Sequence, residues 1–232
     1  MVLRRLLVVC SIATLVSPAL AESPDQVPPG DAQETMPEPP PKAVCIDDQD
    51  EPRRAVEAAF LELQNIHRTR VAGPAGQKLI ELRVNALLDR LVGFDVFVDI
   101  ALGDAWDAAL ADQKLAWRTT LRETLRRRYL HKLGSPLRAK VDIKTVVMRC
   151  DKAEVSLHIS DRKGKHAQDV RLQLVASRVD STTVWHAFDV AVDGVSLLET
   201  WRSRFRRIYA DGGVSAIDQH MRGLAERYTH PD

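Results

Sequence analysis

Apolar residues recur every three to four positions over much of residues 50–133, which is the spacing of amphipathic helices. Glycine and proline divide this region into separate stretches, as expected at helix ends. The predicted helices are one that follows Asp50, one that ends at Gly93, a short one over 94–102 and a longer one over 112–133.

From residue 138 the period of the apolar positions changes from 3.6 to two, which indicates strands with one apolar face. Polar turns join four such segments, so the strands are predicted to be antiparallel neighbours. Their alternating apolar residues are Val141, Ile143 and Val147; Val155, Leu157 and Ile159; Val170, Leu172, Leu174 and Ala176; and Val184, Phe188, Val190 and Val192. Helical spacing resumes after Gly194 and is interrupted at Gly212-Gly213.

The order of these elements predicts an α+β fold in which helices precede and follow a curled antiparallel sheet of four or more strands. The helices are expected to cover one face of the sheet. Such a cone is either filled by its own side chains or leaves an apolar cavity, and the pattern is compatible with both.

The first 21 residues have the composition of a secretory signal peptide. Arg4 and Arg5 precede an apolar run over 6–16, and small residues at Ala19 and Ala21 predict cleavage after Ala21. The apolar run is about half of the roughly 20 residues needed to span a bilayer. The sequence therefore predicts an exported protein that is soluble once residues 1–21 are removed.

Residues 22–43 are crowded with proline and have almost no large apolar side chains. Such a segment cannot bury enough surface to offset the entropy of ordering, so it is expected to be a disordered leader. The remaining residues, 44–229, are long enough for one α+β domain with a sizeable core.

Charge and cysteine content limit the classes of partner. Removal of the two signal-peptide arginines takes the formal net charge from +1 to −1, so nucleic acid is not an expected partner. Cys45 and Cys150 remain in the mature chain, and in an oxidising compartment they are candidates for a disulfide. The alternative is two separate buried thiols.

The sequence offers little for catalysis. It has no glycine-rich phosphate loop, no His-Glu-x-x-His and no Gly-x-Ser-x-Gly, and its histidines lack metal-ligand spacing. Ser196, in Gly194-Val195-Ser196-Leu197, fits a helix-start hydroxyl better than a nucleophile. Asp189 and Asp193 could form a carboxylate pair on one strand face, but no base or nucleophile accompanies them. We therefore expect neither an enzyme nor a resident metal or cofactor.

Arginine clusters on two predicted helices, which allows two interpretations. One is docking to acidic lipid headgroups or to an acidic protein surface. The other is an ordinary solvated helical face. The clustered residues are Arg122, Arg126, Arg127 and Arg128 on one helix and Arg202, Arg204, Arg206 and Arg207 on the other.

Three segments in the C-terminal third carry a family resemblance: 185–190 (Trp-His-Ala-Phe-Asp-Val), 193–198 (Asp-Gly-Val-Ser-Leu-Leu), and 201–205 with its Trp-Arg pair and phenylalanine. Together with Leu102-Gly103-Asp104-Ala105-Trp106, they resemble the MlaC family of periplasmic phospholipid-binding proteins, also called toluene-tolerance proteins. The likeness extends over about 52–227. The motif residues are Asp189, Gly194, Val195, Ser196, Leu197, Trp201, Arg202 and Phe205.

The resemblance implies an NTF2-like sheet that encloses an apolar cavity with phospholipid as cargo. It also implies a soluble periplasmic carrier that shuttles phospholipid between an outer-membrane lipoprotein–porin complex and an inner-membrane ABC transporter complex, maintaining outer-membrane lipid asymmetry. The chain departs from the family pattern in its long proline-rich leader, its cysteine pair, and Trp201 where tyrosine is commoner.

We expect the apolar strand faces, with residues from two helices, to line the lipid cavity. For each of these residues an ordinary place in the core is the alternative. The predicted lipid-binding residues are Phe97, Leu121, Leu125, Val155, Leu157, Ile159, Leu172, Leu174, Phe188 and Val190.

Two competing functions remain open at this point. The first is a non-catalytic interaction module of the cell envelope, in which the same sheet is packed solid. The second is an enzyme built on the cone, which would require a buried Asp–His or Asp–Tyr pair on the apolar face. His186 is the one weak candidate for such a pair.

Overall fold

The structure is a computed structural model that describes residues 45–68, 73–130, 140–161 and 167–229. The predicted signal peptide (1–21) and leader (22–43) lie outside the described residues, as does the end of the fourth predicted helix near 133. Across the ranges described, no helix combines the length and apolar character needed to cross a membrane.

In the part of the chain that the structure describes, five helices precede the sheet. Pro52 lies in the first turn of the first helix, where the Arg54 amide donates to the Asp50 carbonyl at 3.0 Å. Gly103, with a φ of +49°, separates two short helices, the second of which the sequence reading missed. The helices are α1 (Glu51–Arg68), α2 (Pro74–Leu91), α3 (Phe94–Leu102), α4 (Asp104–Ala108) and α5 (Ala111–Leu130).

An open antiparallel meander follows, with the strands in the order β1-β2-β3-β4-β5. This confirms the predicted α+β fold, with five strands where four or more were expected. The fifth strand is two residues long, too short for a period to be read, and follows the turn Asp193-Gly194. The strands are β1 (Lys140–Arg149), β2 (Lys152–Ser160), β3 (Ala167–Val179), β4 (Thr182–Val192) and β5 (Val195–Ser196).

A bulge in β1 changes which residues face the core. The pairing with β2 shifts between Ile143 and Thr145, so the side chains beyond this point exchange faces. Val146 packs against the core, whereas Val147 is 52% exposed. The prediction that Val147 shares the apolar face of Ile143 is therefore wrong.

A second bulge, at Phe188 in β4, likewise changes which residues of β4 share a face with Val190. Leu172 pairs with Val190, but Leu174 pairs with Ala187, which leaves Phe188 as the extra residue. Trp185 and Ala187 consequently share the face of Val190. The expectation that Val184 lies on that face is wrong for this reason.

Two large clusters of buried residues hold the fold together. The helical core joins α3, α4 and α5 to the last helix, α6 (Leu197–Thr229), with Phe205 at its centre. The sheet core joins α1 to β2, β3 and β4 and includes Val155 and Leu157.

Helix α6 folds back on itself at the predicted break. Gly213 has a φ of +61° and a ψ of −152°, a conformation that residues with a Cβ rarely adopt. At Gly212 a Cβ would lie 2.9 Å from that of Ala216. The break brings the second half of α6, including Ile217 and Met221, into the helical core.

Trp117 fastens α5 to the second half of α6. Its indole is 1% exposed and donates from Nε1 to Oδ1 of Asp218 at 3.1 Å. This hydrogen bond, with a second from Arg222, lowers the pKa of Asp218. The pair therefore stabilises the fold at neutral pH and loses its contribution as pH falls below the ordinary value of 3.8.

Cys45 and Cys150 form a disulfide. Cys45 lies in the segment before α1, and Cys150 lies in the two-residue turn between β1 and β2. The bond joins residues 105 apart in the sequence and ties the start of α1 to one end of the sheet.

Removal of this disulfide is expected to lower the free energy of unfolding by about 2–5 kcal/mol, because the unfolded chain regains the freedom of a long loop. The measurement is urea denaturation of the oxidised protein and of the Cys45→Ser/Cys150→Ser variant. Equal midpoints and slopes for the two proteins would contradict the expectation.

His220 is expected to make stability fall in mild acid. Burial lowers its pKa, and nearby Arg204 and Arg227 lower it further. As pH falls below about 6.5 the unfolded chain binds a proton that the folded chain resists, so folding becomes less favourable. Chemical denaturation at pH 7.5 and at pH 5.0 gives the free energy of unfolding at each pH. The loss between the two pH values should be smaller for His220→Phe than for the wild type. An unchanged difference would refute this role of His220.

Candidate functional site

Two apolar cavities lie between the helices and the sheet. The first, which we name the α1–α2 cavity, has a volume of about 190 Å³ and lies under the helical hairpin. Its lining residues are Ala55, Val56, Ala59, Phe60 and Leu63 of α1; Val84, Leu87, Leu88 and Leu91 of α2; Val92; Leu172 and Leu174 of β3; and Trp185 and Ala187 of β4.

The second, which we name the α3–α5 cavity, has a volume of about 260 Å³ and lies beside the first. Its lining residues are Leu88, Val92, Phe94 and Phe97; Leu125 and Arg126 of α5; Leu172 of β3; Ala187, Phe188, Asp189 and Val190 of β4; and Leu197 of α6.

The two cavities adjoin, because Leu88, Val92, Leu172 and Ala187 line both. Together they fall within the roughly 300–1,000 Å³ typical of small-molecule sites. The lining side chains are apolar apart from the indole N–H of Trp185 in the first cavity, and Arg126 and Asp189 in the second. Such a surface suits a ligand with long apolar parts.

A backbone contact joins the end of the helical hairpin to the sheet at the boundary between the two cavities. Val92 forms a parallel bridge with Ala187, and the Gly93 amide donates to the Ala187 carbonyl at 2.9 Å. The approach is close, since a Cβ on Gly93 would lie 3.4 Å from the Cβ of His186. This strut, Val92-Gly93 on Ala187, fixes α2 above β4.

Both carboxylate oxygens of Asp189 accept hydrogen bonds from residues at the start of α6. Its Oδ2 accepts from the Ser196 hydroxyl at 2.6 Å, and its Oδ1 accepts from the Leu198 amide at 2.9 Å. Ser196 in turn accepts from the Glu199 amide at 2.9 Å, which is the helix-cap role expected of it. The family motif thus builds the turn from β4 into α6.

Asp193 has a different partner, so the two carboxylates do not form a pair. The Asp169 amide donates to Asp193 Oδ1 at 3.1 Å, and the Asp193 amide donates to the Asp169 carbonyl at 2.8 Å. Both bonds fasten the β4–β5 turn to the start of β3.

Arg118 and Arg126 of α5 pair with carboxylates. Arg118 lies 3.1 Å from Asp99 of α3, and Arg126 bonds Glu123 of its own helix at 3.0 Å and also Asp89 of α2. Arg126 is only 18% exposed, and its guanidinium lies 5.8 Å from the Phe94 ring. At these two positions the structure favours ion pairs that hold α2 and α3 to α5, whereas Arg127 and Arg128 are exposed.

The histidines on the sheet do not form the buried pair that an enzyme would require. His158 contacts Asp169 at 2.8 Å, but the carboxylate is 84% exposed. His186 lies between the Ser177 hydroxyl, 2.8 Å from Nε2, and the Arg90 carbonyl, 3.0 Å from Nδ1. Neither Ser177 nor His186 lines either cavity, so a ligand there would not face the serine. Among the residues that the structure describes, no cluster could hold a metal ion.

Six of the predicted lipid-binding residues line the cavities and four do not. Leu172 and Leu174 face the α1–α2 cavity, and Phe97, Leu125, Phe188 and Val190 face the α3–α5 cavity, which Leu172 also lines. Leu121 is fully buried in the helical core. Val155, Leu157 and Ile159 belong to the sheet core.

Sequence reasoning missed the contribution of the helical hairpin. The inner faces of α1 and α2 supply most of the α1–α2 cavity, and their apolar stripes were visible as helical spacing. Trp185 and Ala187 were missed for another reason, since the bulge at Phe188 reverses the alternation before it.

Comparison with known proteins places the chain in a family. The model of the MlaC protein family matches residues 62–223. The chain belongs to the MlaC family. This confirms the resemblance carried by the motif around Gly194.

The MlaC family consists of periplasmic lipid-binding carriers and is not a family of enzymes. Seven solved protein chains match the fold. One is a phospholipid-binding protein from Ralstonia solanacearum, solved in complex with a phospholipid. It is 18% identical, with a TM-score of 0.60, and the match covers 80% of this chain and 100% of the Ralstonia chain. A comparison with curated protein sequences finds no match.

Asp189→Ala is expected to lower the free energy of unfolding by about 1–3 kcal/mol, because the Leu198 amide and the Ser196 hydroxyl lose their acceptor. Chemical denaturation measures the change. Asp211→Ala, at an exposed position of α6, serves as the control. Its free energy of unfolding should stay within about 0.5 kcal/mol of the wild type. Equal losses in the two variants would rule out the capping role.

Proposed function

We propose that this MlaC-family chain is a periplasmic phospholipid carrier that holds acyl chains in the α1–α2 and α3–α5 cavities. The observation that carries the proposal is the adjoining pair of apolar cavities between the sheet and the helices. Family membership and the phospholipid bound by the Ralstonia protein support the same ligand.

The energetics of lipid transfer favour such a site. Each methylene removed from water gains about 0.8 kcal/mol, so two long acyl chains in water represent a penalty on the order of 20 kcal/mol. An apolar cavity removes most of this penalty without hydrogen bonds that would slow release. Two lobes separated by the Val92–Ala187 strut suit a lipid with two chains, one in each lobe.

The lipid-contacting residues then follow from the linings. Leu172, Leu174, Phe97, Leu125, Phe188 and Val190 contact the chains directly. Leu121, Val155, Leu157 and Ile159 support the cavity walls from the packed cores behind them.

The wider role we propose is a shuttle that exchanges phospholipid between an outer-membrane lipoprotein–porin complex and an inner-membrane ABC transporter complex, and so maintains outer-membrane lipid asymmetry. Export by the signal peptide at 1–21 would place the chain between these membranes. A purified, loaded protein should then move labelled phospholipid from donor vesicles to acceptor vesicles without membrane fusion.

The direct test is mass spectrometry of organic extracts from protein purified natively from its periplasm. About one phospholipid per chain is the expected result. Reproducible absence of lipid under gentle purification would overturn the proposal and favour an interaction module of the envelope.

A variant that fills the α1–α2 cavity separates binding from folding. Ala59 lines the cavity, whereas its neighbour Ala58 is exposed and does not line it. Ala59→Phe is expected to lose about half or more of the bound lipid, because the ring occupies space that a chain would fill. Ala58→Phe, as the matched control, should load like the wild type.

Circular dichroism and urea denaturation of both variants complete this test. Both should remain folded, since Ala59→Phe adds apolar contacts in an open space. Full lipid loading of a folded Ala59→Phe protein would place the acyl chains elsewhere.

A further inference from the structure

The indole of Trp185 is an unusual feature of the α1–α2 cavity. The residue lies in β4 opposite Ala176 and is 4% exposed. Its Nε1–H has no hydrogen-bond acceptor among the residues that the structure describes. Buried tryptophan N–H groups usually have a partner, so this donor requires an explanation.

The surroundings of the indole narrow the choice of acceptor. Every other side chain lining this cavity is alanine, valine, leucine or phenylalanine, so none of them supplies an acceptor. A water molecule held there would have one polar partner, whereas buried waters typically make about three hydrogen bonds. An acceptor atom that belongs to the ligand needs neither a polar side chain in the cavity lining nor further polar partners of its own.

Among the polar atoms of a phospholipid, the ester carbonyl oxygens are the ones that follow an acyl chain into an apolar site. The phosphate is charged, and its removal from water would be far more costly than that of a carbonyl. The nitrogen has less than 1 Å² of accessible surface, so the hydrogen bond requires the side chains that cover it to shift when a chain enters.

We infer that Trp185 donates a hydrogen bond from Nε1 to an ester carbonyl of the bound lipid and so selects ester-linked acyl lipids over ether-linked ones. The inference rests on the proposed carrier function and adds a specificity residue to it. The indole would be the polar fixture of an otherwise apolar cavity and would set how deeply one chain enters.

The test compares two probes that differ in the linkage alone, a diacyl phosphatidylglycerol and its dialkyl ether analogue of equal chain length. Delipidated full-length mature protein is titrated with each, and binding is followed with a fluorescent competitor lipid. The wild type should bind the ester lipid about three- to tenfold more tightly, as expected for one hydrogen bond.

Trp185→Phe removes the N–H and keeps an aromatic ring, so it should abolish the preference while retaining affinity for the ether lipid. Trp106→Phe is the matched control, since Trp106 lies on α4 beneath Arg118 and lines neither cavity. The control should keep the full preference.

Each alternative result is informative. Equal affinities of the wild type for the two lipids would overturn the inference without any variant and leave the carrier proposal standing. An equal loss of both affinities in Trp185→Phe would assign the indole a structural role and also overturn it. Failure of the wild type to bind either lipid would overturn the carrier proposal itself, and the inference with it.

Discussion

The contact between the α2–α3 junction and the edge of β4 determines the rest of the site. The Gly93 amide and the Ala187 carbonyl fix the height of the helical layer above the sheet at one point. On either side of that point the side chains do not reach across, and a cavity remains on each side. The close approach depends on the bulge at Phe188, which turns Ala187, a small residue, toward the helices.

The sequence was sufficient for the order of the longer elements, because periods of 3.6 and two are local properties of the chain. The family was recognisable from the motif residues around Gly194. The two bulges were not predictable, since an extra residue in one strand is visible only against its partner strand. Val147 and Val184 were assigned to the wrong face for that reason. The strand period also cannot tell whether a helix touches the face. Val155 packs in the sheet core with Val56 of α1, whereas Leu172, its pairing partner on β3, lines both cavities.

The charged residues near the cavities position the helices and do not line an ionic binding site. Arg118, Arg126 and Asp189 are all close to the α3–α5 cavity or its walls, yet each is held by partners of opposite polarity. They position α3, α5 and the start of α6, and leave the cavities almost free of polar groups. In the proposed carrier, binding would then depend on apolar area, which suits ready uptake and release of the ligand.

Because of the disulfide, the stability of the fold depends on whether the chain is in a reducing or an oxidising compartment. In a reducing cytosol Cys45 and Cys150 remain thiols, and the start of α1 is not fastened to the sheet. In the export that we propose, a newly made chain would then be easier to keep unfolded for passage through a secretion channel. Oxidation after passage would close the loop and add the last increment of stability.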